Sequence, residues 1–353
     1  MIRHFGPSPA IQHTAEAMTI EGIREFLRDG FGPTYGLPVF KGFNHETPIA
    51  KLRETFVYTH YLPGDSYLSW IPFRLLGGDD STIPYARMLP LLCTLAAVLF
   101  LILTAAREVV PAWPWSRAAL ALPLFLAPAI YQWGLTLVGV SYADALTLAG
   151  LALGMRKAVK TPWWWALGFA GIYVQFTSVF VICASPLVGR LLRPERLNWR
   201  RGLRDSFVVG LGILAGYAVH FTQVALFLAS FSDAWQDQIA TYLGRSGGAP
   251  VPLLKLVFEY SQHVAGFFRI GAFQMLALSF LAAWLYLGPR HRRAQFAAAS
   301  GLALVASYVW IVLMRHSAVV HYFIFPHVFV LLYACWAVIL VSVIAQRAQI
   351  KDP

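Results

Sequence analysis

Apolar positions crowd the chain beyond residue 87 and fall into runs of similar length. Runs matching a bilayer-spanning helix, about 20 residues, sit at 88–106, 117–135, 206–231, 266–287, 294–314 and 320–345, and a shorter one covers 141–155. Between them lies TPWWWALGFAGIYVQFTSVFVICASPLVG, 161–189, with Gln175, Thr177 and Ser178 at its middle. Residues 1–87 hold no such run. There MTIEGIREFLRD, 18–29, sets Ile20, Ile23, Phe26 and Leu27 on one helical face and Glu21, Arg24, Glu25 and Arg28 on the other, with Gly30 as the stop. SYLSWIPFRLL, 66–76, is a second amphipathic stretch, rich in aromatic rings. Both predict helices lying along a membrane surface, with Trp70 and Phe73 at headgroup depth. The stretch 30–64 reads as a Gly- and Pro-rich loop without strand alternation.

Charge decides how 161–189 runs. Arg156, Lys157 and Lys160 precede it, and Arg190, Arg193, Arg196, Arg200, Arg201 and Arg204 follow. Basic loops stay on the cytoplasmic side, so an even number of crossings separates the two clusters. Split in two, the stretch gives helices of about 21 Å each at 1.5 Å per residue, short of the roughly 30 Å hydrocarbon core. The pattern predicts a short-helix hairpin whose tip, Gln175–Ser178, is buried in protein or lines a cavity. The path then has about nine crossings, with the outer loop 1–87 in a bacterial periplasm and the C-terminus cytoplasmic. The expected architecture is an all-α polytopic membrane protein: the outer loop with two interfacial helices, then a bundle over 88–353.

Composition agrees. The chain is 58% hydrophobic and 13% charged, against about 25% charged in ordinary soluble domains. The net charge of +11 gathers in the cytoplasmic loops of this path, while 1–87 is nearly neutral. It is a topology signal that touches membrane lipids, not a nucleic-acid footprint. Cys93, Cys183 and Cys335 lie in apolar runs with no Cys-X-X-Cys pair, so neither a zinc site nor a disulfide framework is indicated.

Several polar residues stand where polarity is costly. Glu16 reads as an acid for catalysis or as a helix-start residue favoured by the dipole. His60 and Asp65 flank a Pro-Gly turn at the membrane mouth, as base and acceptor ligand or as turn-stabilising groups. Arg87 opens a span, as a phosphate ligand or an interfacial anchor. Asp144 is an acid inside an apolar helix end, which suggests a role. His220 reads as a satisfied packing residue. Arg269 and Arg315 lie near span ends as candidate phosphate partners. His316, His321 and His327 raise a metal, but the spacing of His321 and His327 does not put both on one helical face; no metal site and no cofactor are expected.

The order of parts carries a resemblance. Tyr58-Thr59-His60-Tyr61-Leu62-Pro63-Gly64 is followed by Gly77-Gly78 and Tyr85-Ala86-Arg87-Met88-Leu89-Pro90. YADALTLAGLAL, 142–153, the short hairpin and RHSAVVHYFIFPHVFVLL, 315–332, complete it. The series resembles the GT-C membrane glycosyltransferases, in particular the protein mannosyltransferase, aminoarabinose transferase and Rgt-like group, over nearly the whole chain and through loose motifs. The resemblance implies transfer of a sugar from a polyprenyl-phosphate donor to an acceptor at the outer face. It also implies an outer-loop acid as base; the family's Asp-Glu pair falls here on Ala15 and Glu16, and Gln175 stands where relatives often carry Lys. It makes Glu16, Asp65 and His60 the catalytic candidates and Arg87, Arg315 and His321 the donor-phosphate candidates. His13, Asp144 and Gln175 would line the pocket. The family's first span would precede Met1, so a helix ahead of the loop is expected from an upstream segment or a membrane protein partner. The alternative is a non-catalytic GT-C-like accessory subunit; inverted repeats of a transporter are not seen.

Overall fold

The computed structural model describes residues 10–41, 51–52, 55–57, 59, 62–109, 139–193, 199–246, 252, 254–258, 290–314 and 325–351. The runs at 117–135 and 266–287 lie outside them. The described residues are mostly helical, and three helices, Ile83–Glu108, Trp199–Phe227 and Arg292–Leu313, are long and apolar enough to cross a membrane.

Helix α1, Ala10–Asp29, starts earlier than the amphipathic pattern and stops at Gly30. Gly30 takes φ +74° and its N–H donates to the Phe26 carbonyl at 3.1 Å. Ile20, Ile23 and Phe26 are buried as the pattern requires. Glu25 departs from its expected exposed face: it is buried, and Arg28 reaches back one turn to pair with it. The stretch 30–64 also departs from the expected plain loop. It carries strands β1 (Val39–Lys41), β2 (Lys51–Leu52) and β3 (Thr55–Val57), antiparallel in the order β1-β3-β2 with Val39 opposite Val57. Strands this short offer no alternation to read; tertiary packing of Leu37, Val39 and Val57 makes them.

Helix α2, Gly64–Leu75, leads through α3, Ile83–Ala86, into α4, Met88–Glu108. Phe73 is not at a lipid surface. It is fully buried in a cluster with Ile20, Ile23 and Ala86, while Trp70 packs beside it, half-buried. The lip of the bundle is therefore closed by α1 folding over α2, and Ile71 and Leu75 take the exposed positions.

Next come α5 (Gly139–Met155), α6 (Thr161–Val174) and α7 (Val179–Leu192). Gln175, extended at φ −159° and ψ 108°, breaks α6, and a 3₁₀ turn at Phe176–Ser178 starts the return. Helix α8 (Trp199–Phe227) turns at Ala229, φ +53°, into α9 (Phe231–Ser246), a helix that apolar run length did not pick out. Helix α10 (Arg290–Leu313) and α11 (Val330–Lys351), the latter preceded by a 3₁₀ turn at Phe325–Phe329, complete the described bundle.

The main core joins Leu101 of α4, Leu148 of α5, Val188 of α7, Ala303 of α10 and Ala334 of α11. Elsewhere helices meet backbone to backbone. A Cβ on Gly168 of α6 would stand 2.0 Å from the Val209 carbonyl oxygen, and one on Gly212 of α8 2.1 Å from that of Trp165. In the same way Gly154 and Gly189 let α5 and α7 touch. Without a hydrophobic drive between spans, small residues gain packing by close approach. The guanidinium of Arg190, near the end of α7, donates to the Arg156 carbonyl just beyond α5 at 2.6 Å. The basic segments on either side of the α6–α7 pair therefore lie at one end of the molecule, the basic end, and Gln175–Ser178 at the other, the tip end.

Candidate functional site

The tip end gathers the candidate residues through a few polar bridges. The Pro63-Gly64 turn starts α2 against α6. A Cβ on Gly64 would meet the Tyr173 carbonyl oxygen at 2.4 Å, so only glycine allows this approach. Leu62 packs on Ile172 and Val179 at either side of the hairpin tip. Just before the turn, the Thr59 carbonyl accepts from His220 Nε2 at 2.8 Å and from Gln238 Nε2 at 3.3 Å. A carbonyl acceptor fixes the proton on Nε2. His220 is thus a satisfied buried residue, as its place in an apolar run suggests, and it fastens the motif to α8.

Asp65 lies in the first turn of α2 and is half-buried. Its carboxylate accepts from the Ser66 N–H at 2.7 Å and from Thr19 Oγ1 of α1 at 3.4 Å. Glu16 and His13 fall one and two turns before Thr19 on α1. One turn past Asp65, Ser69 meets the Tyr142 hydroxyl of α5 at 3.3 Å in a buried contact. The next residue but one, Asp144, is 2% exposed and accepts from His327 Nδ1 at 2.7 Å, the imidazole being equally enclosed. Thr94 of α4 donates to the Ser141 carbonyl at 3.3 Å. Arg87, 6% exposed, joins α3 to α4 beside Ala86 of the α1–α2 cluster. Gln175, 5% exposed, ends α6 at the tip.

The described structure thus places Asp65, Arg87, Asp144 and Gln175 at the tip end, with Glu16 and His13 on the helix that covers α2. His60, Arg315 and His321 lie outside the described residues, as do His316 and Arg269. Sequence reasoning missed the partner of Asp144. Metal spacing along one helix does not reveal the role of His327, because its bond crosses 183 positions to another helix. The usable signal was the need of a buried carboxylate for a donor. Among the described residues no group of three or more His, Cys, Asp or Glu could hold a metal ion.

Beside α2 an open groove of about 440 Å³ is lined by Phe31, Gly32, Tyr35, Gly36 and Tyr67. Its rim is held by a polar chain. Tyr67 donates to the Gly36 carbonyl at 2.7 Å, Gln223 Nε2 donates to the Tyr35 carbonyl at 2.9 Å, and Tyr173 donates to Gln223 Oε1 at 2.7 Å. Burial holds the Tyr67 hydroxyl above its ordinary pKa, so it stays a neutral donor. Arg87 and Asp144 do not line this groove. No family model matches the sequence, and no curated protein or solved structure matches it.

Proposed function

We propose that the chain is a membrane glycosyltransferase of GT-C type, moving a sugar from a polyprenyl-phosphate donor to an acceptor on the outer side of a bacterial inner membrane. The observation that carries the reading is the position of Asp65: a half-buried carboxylate at the turn where the first described segment meets the bundle, with the buried Arg87 cation at the mouth of α4. An acceptor hydroxyl needs a carboxylate within hydrogen-bond reach. A departing phosphate needs fixed cations or donors in a dry site. Asp65, with Glu16 and His60, would orient the acceptor oxygen and take its proton. Arg87, with Arg315 and His321, would hold the donor phosphate, and His13, Asp144 and Gln175 would wall the pocket. The acceptor oxygen bonds to the anomeric carbon as the bond from that carbon to the phosphate oxygen breaks. Polyprenyl phosphate leaves with the electron pair and the anomeric centre inverts.

One observation favours the other reading, a non-catalytic accessory subunit. The Asp144–His327 pair is sealed from solvent, and such a pair can serve packing alone. The two readings separate in proteoliposomes holding the full chain and polyprenyl-phosphate hexoses or pentoses. Transfer or hydrolysis is expected from the wild type, and Asp65→Asn should lower the rate by about 10²–10⁴-fold. Arg87→Gln should weaken binding of undecaprenyl phosphate about 10- to 150-fold, a charge-assisted bond being worth roughly 1.5–3 kcal/mol. A wild-type chain that neither binds undecaprenyl phosphate nor turns over any donor would establish the accessory reading.

A further inference from the structure

At the basic end α8 presents an apolar face that the described helices leave exposed. Trp199, Leu203, Phe207, Leu211 and Leu214 are 53%, 46%, 66%, 43% and 65% exposed. Their spacing of three and four residues makes one stripe. Of the three spanning helices α8 is the least covered, with 28% of its apolar window buried against 44% and 39% for the others.

Cations stand at the head of this stripe. Arg200 lies 5.8 Å from the centroid of the Trp199 ring. Arg204, 57% exposed, donates from Nη2 to Asp205 Oδ1 at 2.9 Å. Asp205 is 1% exposed and is shared with Arg190, whose Nη2 stands 3.5 Å from Oδ2. Arg190 is itself 7% exposed, and its buried Nε meets no acceptor. Arg193 and Arg201 act on the same guanidinium electrostatically. Residues 190–205 carry six arginines against Glu195 and Asp205, so the sequence leaves an excess of positive charge at this end. Trp163 and Trp165 of α6, 64% and 43% exposed, stand at the same end, where indole rings mark headgroup level.

We propose that this face binds an anionic phospholipid of the adjoining leaflet. The phosphate sits between Arg200 and Arg204, one helical turn apart, and an acyl chain lies along Leu203, Phe207, Leu211 and Leu214. A zwitterionic lipid offers the same phosphate with its own cation beside it. Soluble phosphate matches the arginines and leaves the stripe bare. A second copy of the chain covers the stripe and brings no anion to Arg200 and Arg204. Net anionic charge on an acyl chain answers both halves of the face.

The test uses the full chain in mixed micelles and Trp199 as the reporter. Brominated phosphatidylglycerol and brominated phosphatidylcholine are compared as quenchers, with Trp199→Phe giving the signal that belongs to that ring. The wild type should prefer phosphatidylglycerol. Each arginine removed should lower the preference about fivefold, taking about 1 kcal/mol per cation at an anionic surface. Arg24→Gln, on the exposed face of α1, should leave it unchanged. Should a variant with both Arg200→Gln and Arg204→Gln fail to fold, Arg200→Gln alone suffices, because among the described residues the contact of Arg200 is with the Trp199 ring. Equal quenching by the two lipids overturns the proposal. So does its loss to millimolar glycerol phosphate, which would make the site one for free anions. Light scattering that shows a dimer broken by Phe207→Gln and kept by Arg200→Gln would assign the face to a second copy.

Discussion

Asp144 and His327 show what one buried acid demands of the chain. Removing a carboxylate from water costs several kcal/mol unless a donor meets it, and the donor here comes from the turn before the last described helix. His327→Leu should destabilise the purified chain in detergent by about 3–5 kcal/mol. Asp144→Asn should cost less, since an amide oxygen still accepts from Nδ1, and Asp144→Leu with His327→Leu should recover much of the loss. Thermal midpoints of these three variants, of Asp144→Leu alone and of the wild type decide it; strictly additive losses of the two leucine changes would mean that the pair is not coupled. The same demand made some residues legible beforehand. Asp65, Arg87 and Asp144 were visible as polar groups in apolar company. The partners of Asp144 and His220 were not, because the bonds of Asp144 to His327 and of His220 to Thr59 span 183 and 161 positions and leave no local pattern.

Among elements, periodicity identified what an apolar face makes by itself. Helix α1 follows its amphipathic pattern except at Glu25, and the three described helices long enough to span overlap the apolar runs at 88–106, 206–231 and 294–314, because there the sequence repeats at the period of the structure. The strands were illegible, being two or three residues long. Helix α9 escaped because it mixes an exposed face of Phe231, Trp235 and Ile239 with a buried Ala234 and Asp237, so that no apolar run forms. The meeting of α6 and α8 was also hidden. It rests on two glycines, Gly168 and Gly212, whose missing side chains matter more than any present one. Gly212→Ala forces a methyl against the Trp165 carbonyl and should cost about 1–3 kcal/mol by overpacking. Gly210→Ala, whose Cβ would stand 4.0 Å from its nearest neighbour, should cost little. A pair of unfolding curves in one detergent checks the contrast, and equal losses would discard the close-contact account.

For the whole molecule, the charge pattern carried the most. It separated two ends before any contact was known, and the bond of Arg190 to the Arg156 carbonyl joins the basic segments in space. Lys160→Cys and Arg200→Cys should therefore react with an impermeant maleimide from the same side of sealed vesicles. Thr177→Cys and Ser178→Cys, at positions only 4% and 1% exposed, should resist it from both. Labelling of the first two from opposite sides would rule out the path. What charge could not supply is depth. Helices α6 and α7 have 14 residues each, about 21 Å of rise, in a layer about 30 Å thick. Something must occupy the missing height, and Leu62 and Gly64 rest there, on the tip. On the proposed path the border between oil and water would be dented where they rest. An acceptor arriving dissolved would then descend part of the way, and a donor arriving on a lipid would not need to climb to the surface to meet it.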